Sequence, residues 1–284
     1  MEIVIKILVY AITAILILSL FGFYLILRPF RIISTDTPKQ FGVDYEDVTF
    51  RTEDGITLKG WFVPNSNPHA KTIIVLHGYP ADKGDILLTR LFLHKDYNLL
   101  FFDFRYLGAS GGYYSSVGYY EARDIRAALA YLHRRGIHQV AVWGLSMGGA
   151  AALLTAKNAS EIKAMIAETP YARLDWMANS RYPIPGLNYV LGGLLRLWGY
   201  VFLRIDVTTV RPMDDAAAIK IPLLLLYSKD DELIKYQHAL GMQEAVKHNP
   251  KVEIVIYEGK KHAQPADNYQ ELVKKFLDNN FPPH

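Results

Sequence analysis

Residues 138–156, HQVAVWGLSMGGAAALLTA, run from an apolar strand through a glycine-rich turn into a helix. The uninterrupted apolar run Val140–Trp143 is typical of a strand buried on both faces, and the alanine- and leucine-rich run after the turn is typical of a helix. Gly144 and Gly148 allow a tight turn in which Ser146 takes strained backbone angles and projects its hydroxyl above the sheet. The pattern Gly-x-Ser-x-Gly at this junction predicts that Ser146 is a nucleophile.

A serine hydroxyl attacks at neutral pH only when a base takes its proton and an acid orients that base. His262 is the predicted base, because it alone of the nine histidines lies in a loop directly after the last predicted strand. His77 is the other candidate, but it precedes Ser146 in the chain. The predicted order of nucleophile, acid and base therefore ends at His262.

A carboxylate cluster, Asp230-Asp231-Glu232, follows the strand IPLLLLYS and supplies the predicted acid. The chain turns into the next predicted helix at Leu233-Ile234, and the spacing to that turn favours Asp231 over the adjacent Asp230. Glu168, after the preceding strand, is a third candidate. All of these carboxylates could instead be solvated surface charges.

The oxyanion of an acyl-transfer intermediate needs backbone N–H donors. The residue after the nucleophile, Met147, offers one. The second is predicted in the loop Leu76-His77-Gly78-Tyr79-Pro80, where Tyr79 is the candidate because Pro80 has no N–H.

Short apolar strands alternate with amphipathic helical segments along the chain, which predicts a doubly wound α/β fold with a mostly parallel sheet and helices on both faces. A hairpin around Asp54-Gly55 opens it. The predicted strands are Asp47–Arg51, Thr57–Val63, Thr72–Leu76, Leu99–Phe102, Val140–Trp143, Ala164–Ala167, Leu223–Tyr227 and Val252–Ile256. The predicted helices lie near 84–95, 118–135, 147–157, 235–248 and 267–278.

The N-terminal segment Ile7–Leu27 runs for 21 residues without a charge. As a helix it would be about 30 Å long, the thickness of a bilayer core. A cleaved signal peptide has a shorter apolar region followed by small residues, whereas Arg28 and Pro29 follow here. We expect an uncleaved membrane anchor at 1–30, a stalk at 31–40 and one catalytic domain at 41–284. Nearby positive charges lean weakly towards a cytoplasmic catalytic domain, but a long domain can be translocated regardless of them.

About 55 residues between the sixth and seventh predicted strands carry no strand pattern. The apolar stretch Leu187–Ile205 lies within them and predicts a helical lid over about 171–215. A second membrane-contacting element is the alternative, although Arg196 and the pair Gly192-Gly193 argue against a second span.

Composition excludes several classes of protein. The chain has 31 Lys plus Arg against 28 Asp plus Glu, so a net charge of +3 gives no basic excess for nucleic-acid binding. It has no cysteine, which excludes disulfides, thiolate zinc sites and a cysteine nucleophile. No phosphate-loop or H-E-x-x-H pattern occurs, so neither a metal nor an organic cofactor is expected.

Taken together, HGYP at 77–80, FDFRYLGASGG at 102–112, GLSMGG at 144–149, SKDDELI at 228–234 and GKKHA at 259–263 resemble the α/β-hydrolase superfamily. The chain is most similar to its serine aminopeptidase-like and acylglycerol-lipase-like branch. The resemblance implies an eight-stranded sheet with a small helical lid and hydrolysis of an ester, thioester or amide through an acyl-enzyme on Ser146. Ser228 and Lys235 depart from the usual Gly and Pro, which puts the subgroup in question but removes no catalytic group.

The favoured activity is a serine carboxylic-ester hydrolase acting on small-molecule or lipid esters, held at a membrane by residues 7–27. A serine peptidase or an acyl-protein thioesterase is the enzymatic alternative, since the same triad cleaves amides and thioesters. A catalytically silent, membrane-tethered binding module is the alternative from another class.

Overall fold

A computed structural model describes residues 1–182 and 186–283. Its eight strands form one sheet in the order β1-β2-β4-β3-β5-β6-β7-β8. The strands are β1 Glu46–Arg51, β2 Thr57–Val63, β3 Thr72–Leu76, β4 Asn98–Phe102, β5 Val140–Leu145, β6 Ile162–Glu168, β7 Leu223–Ser228 and β8 Val252–Tyr257. Strand β2 is antiparallel to β1 and β4, and the remaining neighbours are parallel. The predicted mostly parallel α/β sheet, opened by a hairpin, is confirmed.

Helices occupy most of the connections. They are α1 Glu2–Leu27, α2 Leu87–Arg90, α3 Glu121–Arg134, α4 Met147–Ala156, α5 Leu174–Ser180, α6 Leu187–Trp198, α7 Pro212–Ala218, α8 Tyr236–Val246 and α9 Tyr269–Asn280. The helix predicted near 84–95 is broken, because a 3₁₀ helix, Leu91–Lys95, follows α2. Leu87 and Leu93 are both buried, yet in a continuous α-helix their side chains would point about 120° apart around the axis.

The sheet is covered on both faces, because successive strand residues point to opposite sides. On one side, α9 supplies Val273, Phe276 and Leu277 to a core that also contains Phe101 and Trp143. On the other side, Phe50 packs edge-on against Phe102 at 5.5 Å between ring centroids and stacks with Tyr131 of α3 at 5.2 Å. The functional loops at the ends of the parallel strands therefore rise from a buried platform.

The described chain divides into two compact units. One combines Met1–Pro29 with Arg173–Arg211 and holds α1, α5, α6 and a π-helical turn, Gly199–Leu203. The other combines Phe30–Ala172 with Pro212–His284 and holds the sheet. Residues 183–185, inside the predicted lid of about 171–215, and residue 284, the last of the predicted 41–284 domain, lie outside the described residues. The boundaries 1–30, 31–40 and 41–284 stay predictions.

Helix α1 is long and apolar enough to cross a bilayer, with a mean hydropathy of 2.6 over its most apolar window and little of that window buried. These properties fit an anchor or a signal sequence.

The predicted stalk is tied to the sheet-containing unit. Arg31 donates from Nε to the carbonyl oxygen of Gly108 at 3.1 Å, and its guanidinium lies 5.6 Å from the centre of the Tyr106 ring. Ser34 donates from its backbone N and its Oγ to the Asp82 carboxylate, both at 2.6 Å. The chain that follows the apolar helix is therefore bonded to the sheet-containing unit at Arg31 and Ser34.

Candidate active site

Ser146 lies at the sharp turn between β5 and α4, with φ 51° and ψ −115°. A non-glycine residue at positive φ is strained, and the surrounding structure must hold it there. Its backbone N–H donates to the carbonyl oxygen of Glu168 at 2.7 Å. A Cβ atom on Gly144 would lie 2.5 Å from the Gly148 backbone, and one on Gly148 would lie 2.6 Å from the carbonyl oxygen of His77. Both glycines are required because backbone passes where a side chain would begin.

The structure brings the predicted nucleophile, base and acid together. His262 Nε2 lies 3.1 Å from Ser146 Oγ, and His262 Nδ1 lies 2.7 Å from Asp231 Oδ2. The other oxygen, Asp231 Oδ1, accepts the backbone N–H groups of Leu233 and Ile234 at 2.9 and 2.7 Å. A carboxylate only accepts hydrogen bonds, so its contact with His262 assigns the ring proton to Nδ1. Nε2 is then free to accept a hydrogen bond from Ser146 Oγ.

The other two candidate acids face elsewhere. Asp230 Oδ2 accepts the backbone N–H of Gly259 at 2.6 Å, at the start of the histidine loop. Glu168 forms a buried ion pair with Arg90, whose guanidinium lies 3.9 Å from the centre of the Trp143 ring. Both carboxylates are thus engaged in holding the structure around the site.

His77 is fully buried and bonded through both ring nitrogens. Nδ1 lies 2.7 Å from the carbonyl oxygen of Gly78, and Nε2 accepts the backbone N–H of Phe104 at 3.0 Å. Burial lowers the pKa of His77, and a neutral ring that donates from Nδ1 satisfies both contacts. His77 therefore ties two loops together and does not face the serine as a base.

Further polar side chains join the acid loop to the histidine loop. Ser228 Oγ donates to the carbonyl oxygen of Lys260 at 2.6 Å, and Glu232 Oε2 accepts the backbone N–H of His262 at 3.1 Å. The N–H of His262 holds the pKa of Glu232 below its ordinary value. Sequence reasoning missed these roles, although the polar run from Ser228 to Glu232 marked the region.

The two predicted oxyanion donors flank the serine. Met147 is the first residue of α4, directly after Ser146. Tyr79 follows Gly78, and a Cβ atom at Gly78 would lie 3.4 Å from the Cβ of Ser146. The use of their N–H groups as oxyanion donors stays a prediction.

A buried glutamate that the sequence did not reveal, Glu121 at the start of α3, organises a loop beside the elbow. Its carboxylate accepts Ser115 Oγ at 2.8 Å, Ser116 N and Oγ at 2.9 and 2.6 Å, and Gly118 N at 2.8 Å. Ser115 Oγ in turn lies 3.8 Å from the Met147 sulfur. Four donors compensate the cost of burying this carboxylate.

Within residues 1–182 and 186–283, no group of three or more His, Asp or Glu side chains is arranged to hold a metal ion. The expectation of a metal-free site stays a prediction.

Comparison with known proteins finds relatives among the hydrolases. The family model of the dienelactone hydrolase family matches residues 120–275. The uncharacterized protein YqkD of Bacillus subtilis is 31% identical over 79% of this chain and 76% of its own length. The α/β-hydrolase domain-containing protein WAV2 of Arabidopsis thaliana is 29% identical over 87% of this chain and 82% of its own length.

Among solved structures, the esterase Pf2001 of Pyrococcus furiosus is similar to this chain, with a TM-score of 0.72 and 30% identity over 89% of this chain and 99% of that one. These likenesses confirm the α/β-hydrolase fold that the motifs predicted.

Proposed function

Since the chain belongs to the dienelactone hydrolase family of α/β hydrolases and is a carboxylic ester hydrolase, we propose that it cleaves esters of apolar acyl groups through an acyl-enzyme on Ser146. One observation carries the proposal: the hydrogen-bonded series from Ser146 Oγ through the His262 ring to Asp231, at 3.1 and 2.7 Å.

In the first half of the proposed reaction, His262 Nε2 takes the proton of Ser146 Oγ as that oxygen bonds to the acyl carbon. The buried Asp231 carboxylate stabilises the imidazolium that forms. The Met147 and Tyr79 N–H groups stabilise the oxyanion. The bond to the leaving oxygen then breaks, and Nε2 gives its proton to the departing alcohol.

In the second half, His262 takes a proton from water, whose oxygen bonds to the acyl carbon. The bond between that carbon and Ser146 Oγ breaks, the serine regains the proton, and a carboxylic acid leaves. Water supplies the only additional reactant.

Fluorophosphonate labelling of the full chain in dodecyl maltoside tests the nucleophile. Wild type should carry one adduct at Ser146, and Ser146→Ala should lose it together with p-nitrophenyl butyrate turnover, by on the order of 10³-fold or more. The matched control is Ser160→Ala, since Ser160 is exposed and follows α4. An unlabelled but folded wild type would support the silent binding module instead.

The preference for apolar acyl groups is supported by the apolar helix α1, which suits an enzyme whose substrates partition into membranes. A series of p-nitrophenyl esters should show kcat/KM rising from acetate to octanoate, because each buried methylene contributes about 0.8 kcal/mol. Faster cleavage of aminoacyl anilides or acyl thioesters would favour the peptidase or thioesterase alternative.

The proposed anchor is tested with an epitope placed before Met1. An uncleaved anchor keeps the epitope on protein that resists carbonate extraction, because a membrane-spanning helix is held by its apolar surface. Loss of the epitope from mature protein would instead identify a signal sequence.

A further inference from the structure

Helix α6 and the π-helical turn after it expose a continuous apolar face. Val190, Leu197 and Val201 follow one another at spacings of 7 and 4 residues, which places them on one side of a helix. Tyr189 and Tyr200, eleven residues apart, share an adjoining side that lies about 90° around the helix axis. All five side chains are exposed, from 42% for Val201 to 68% for Tyr189.

A second side of this segment packs on α1, within the same compact unit. Trp198 Nε1 donates to Ser19 Oγ at 3.1 Å, and the Phe23 and Phe202 rings lie 6.3 Å apart. Ser19 and Phe23 are one helical turn apart and are the buried residues of α1.

These contacts show how far from the C-terminal end of α1 the helix α6 packs. Ser19 and Phe23 lie eight and four residues before Leu27, the last residue of α1, which places them about 12 and 6 Å from its end at 1.5 Å per residue. Helices that lie in the membrane interface bury their apolar face by about 5–10 Å into the headgroup and acyl boundary. A neighbour of Ser19 and Phe23 therefore lies near the edge of the hydrocarbon layer that α1 would enter.

Charge and aromatic content agree with that depth. The segment 173–211 carries five arginines against two aspartates, and arginines are attracted to anionic headgroups. Arg204 is exposed at the end of the π-helical turn. Tyrosine and tryptophan are enriched where membrane meets water, and this segment exposes Tyr189 and Tyr200 beside the half-buried Trp198.

We propose that residues 187–203 form an interfacial helix that inserts its exposed apolar face into the leaflet crossed by the C-terminal end of α1. The partner is the surface of an anionic phospholipid bilayer. The inference rests on the proposed membrane anchor and goes beyond it, because it assigns a second membrane contact with its own face and depth.

The absence of cysteine makes this testable on the full chain. Val201→Cys is labelled with an NBD fluorophore and reconstituted into vesicles of equal parts phosphatidylcholine and phosphatidylglycerol. Some of the phosphatidylcholine carries a doxyl quencher near the headgroup end of its acyl chain. Ile12→Cys on α1 reports whether the anchor is inserted, and Lys247→Cys, at an exposed position after α8, gives the aqueous reference.

The label at 201 should emit at shorter wavelength than the label at 247, be quenched by doxyl lipid and resist aqueous iodide. Val190→Cys should behave alike, which guards against a local misfolding at 201. Retained turnover of p-nitrophenyl butyrate shows that each labelled protein is folded.

Quenching by iodide at 201 and 190, with lipid quenching retained at 12, would overturn the interfacial helix and leave the anchor standing. Protection from both quenchers at 201 would also overturn it and would indicate that a second copy of the chain covers this face. Iodide quenching at 12 would refute the anchor itself.

Discussion

Ser228 Oγ donates a 2.6 Å hydrogen bond to the carbonyl oxygen of Lys260, and this bond ties the end of β7 to the loop that carries His262. The same oxygen accepts the backbone N–H of Asp230 at 3.2 Å. A glycine is usual at this position in the proteins that the motifs resemble. The serine therefore adds a side-chain contact between the loops of the proposed acid and base.

Replacing Ser228 by alanine should lower kcat several-fold with little change in KM, because a neutral hydrogen bond of about 1 kcal/mol then no longer holds the histidine loop. Kinetics with p-nitrophenyl butyrate measure the effect. Ser228→Gly should be slower still, since glycine adds backbone freedom. Wild-type kcat in both variants would show that the bond has no positioning role.

The adjacent carboxylates Asp230 and Asp231 should behave very differently when each is changed to asparagine. Asp231→Asn should reduce kcat by about 10⁴-fold, because an amide cannot hold the His262 ring in the required tautomer. Asp230→Asn should stay within about tenfold of wild type, since its partner is the backbone of Gly259. The reverse ranking in steady-state kinetics would assign the acid to Asp230.

Removing one partner of the Arg90–Glu168 pair should destabilise the fold strongly. The two side chains are 3% and 2% exposed, and breaking a buried pair leaves an uncompensated charge at a cost of about 3–5 kcal/mol. Arg90→Met should therefore lower the melting temperature in dodecyl maltoside by several degrees.

The matched control for Arg90→Met is Arg126→Met, whose exposed ion pair with Glu53 has a separation of 3.5 Å. It should cost less than about 1 kcal/mol. Equal melting temperatures for the two variants would contradict the importance of burial.

Local patterns were sufficient to predict the strands, because apolar runs mark buried strands. They also placed Ser146, Asp231 and His262 after the ends of strands, where the structure has them. They misjudged the length of the helix near 84–95, where burial of both Leu87 and Leu93 breaks the regular spacing.

Contacts between distant segments left no local signal. Glu168 ranked as a candidate acid because it ends a strand, and its engagement by Arg90, 78 residues away, follows only from the packed fold. The bond from Trp198 to Ser19 spans 179 residues and joins two apolar segments that look independent in the sequence.

The Ser19–Trp198 hydrogen bond should couple α1 to α6 energetically. A double-mutant cycle with Ser19→Ala and Trp198→Phe, followed by circular dichroism during SDS titration in mixed micelles, should give about 0.5–1.5 kcal/mol of coupling. Thr13→Ala provides the control on an exposed position of α1, and its effect should add to that of Trp198→Phe. If the effects of Ser19→Ala and Trp198→Phe were also additive, the hydrogen bond would contribute nothing to stability in the membrane mimic.

Acid should weaken the fold through His77. Its folded-state pKa lies below the ordinary 6.5, because burial opposes the charged ring, so the unfolded chain binds a proton that the folded chain excludes. The free energy of unfolding should be independent of this group above about pH 6.5. Below that pH it should decrease as the pH falls, by up to about 1.4 kcal/mol per pH unit. The melting temperature measured between about pH 7.5 and 5.5 follows this loss.

In His77→Gln the titrating group is absent, while an amide can still accept the N–H of Phe104. This variant should be less stable than wild type at neutral pH, by about 1–3 kcal/mol. Its melting temperature should then fall less steeply towards acid than that of wild type, so the two curves converge. Parallel curves would show that another group governs the acid sensitivity and that His77 titrates alike in the folded and unfolded chain.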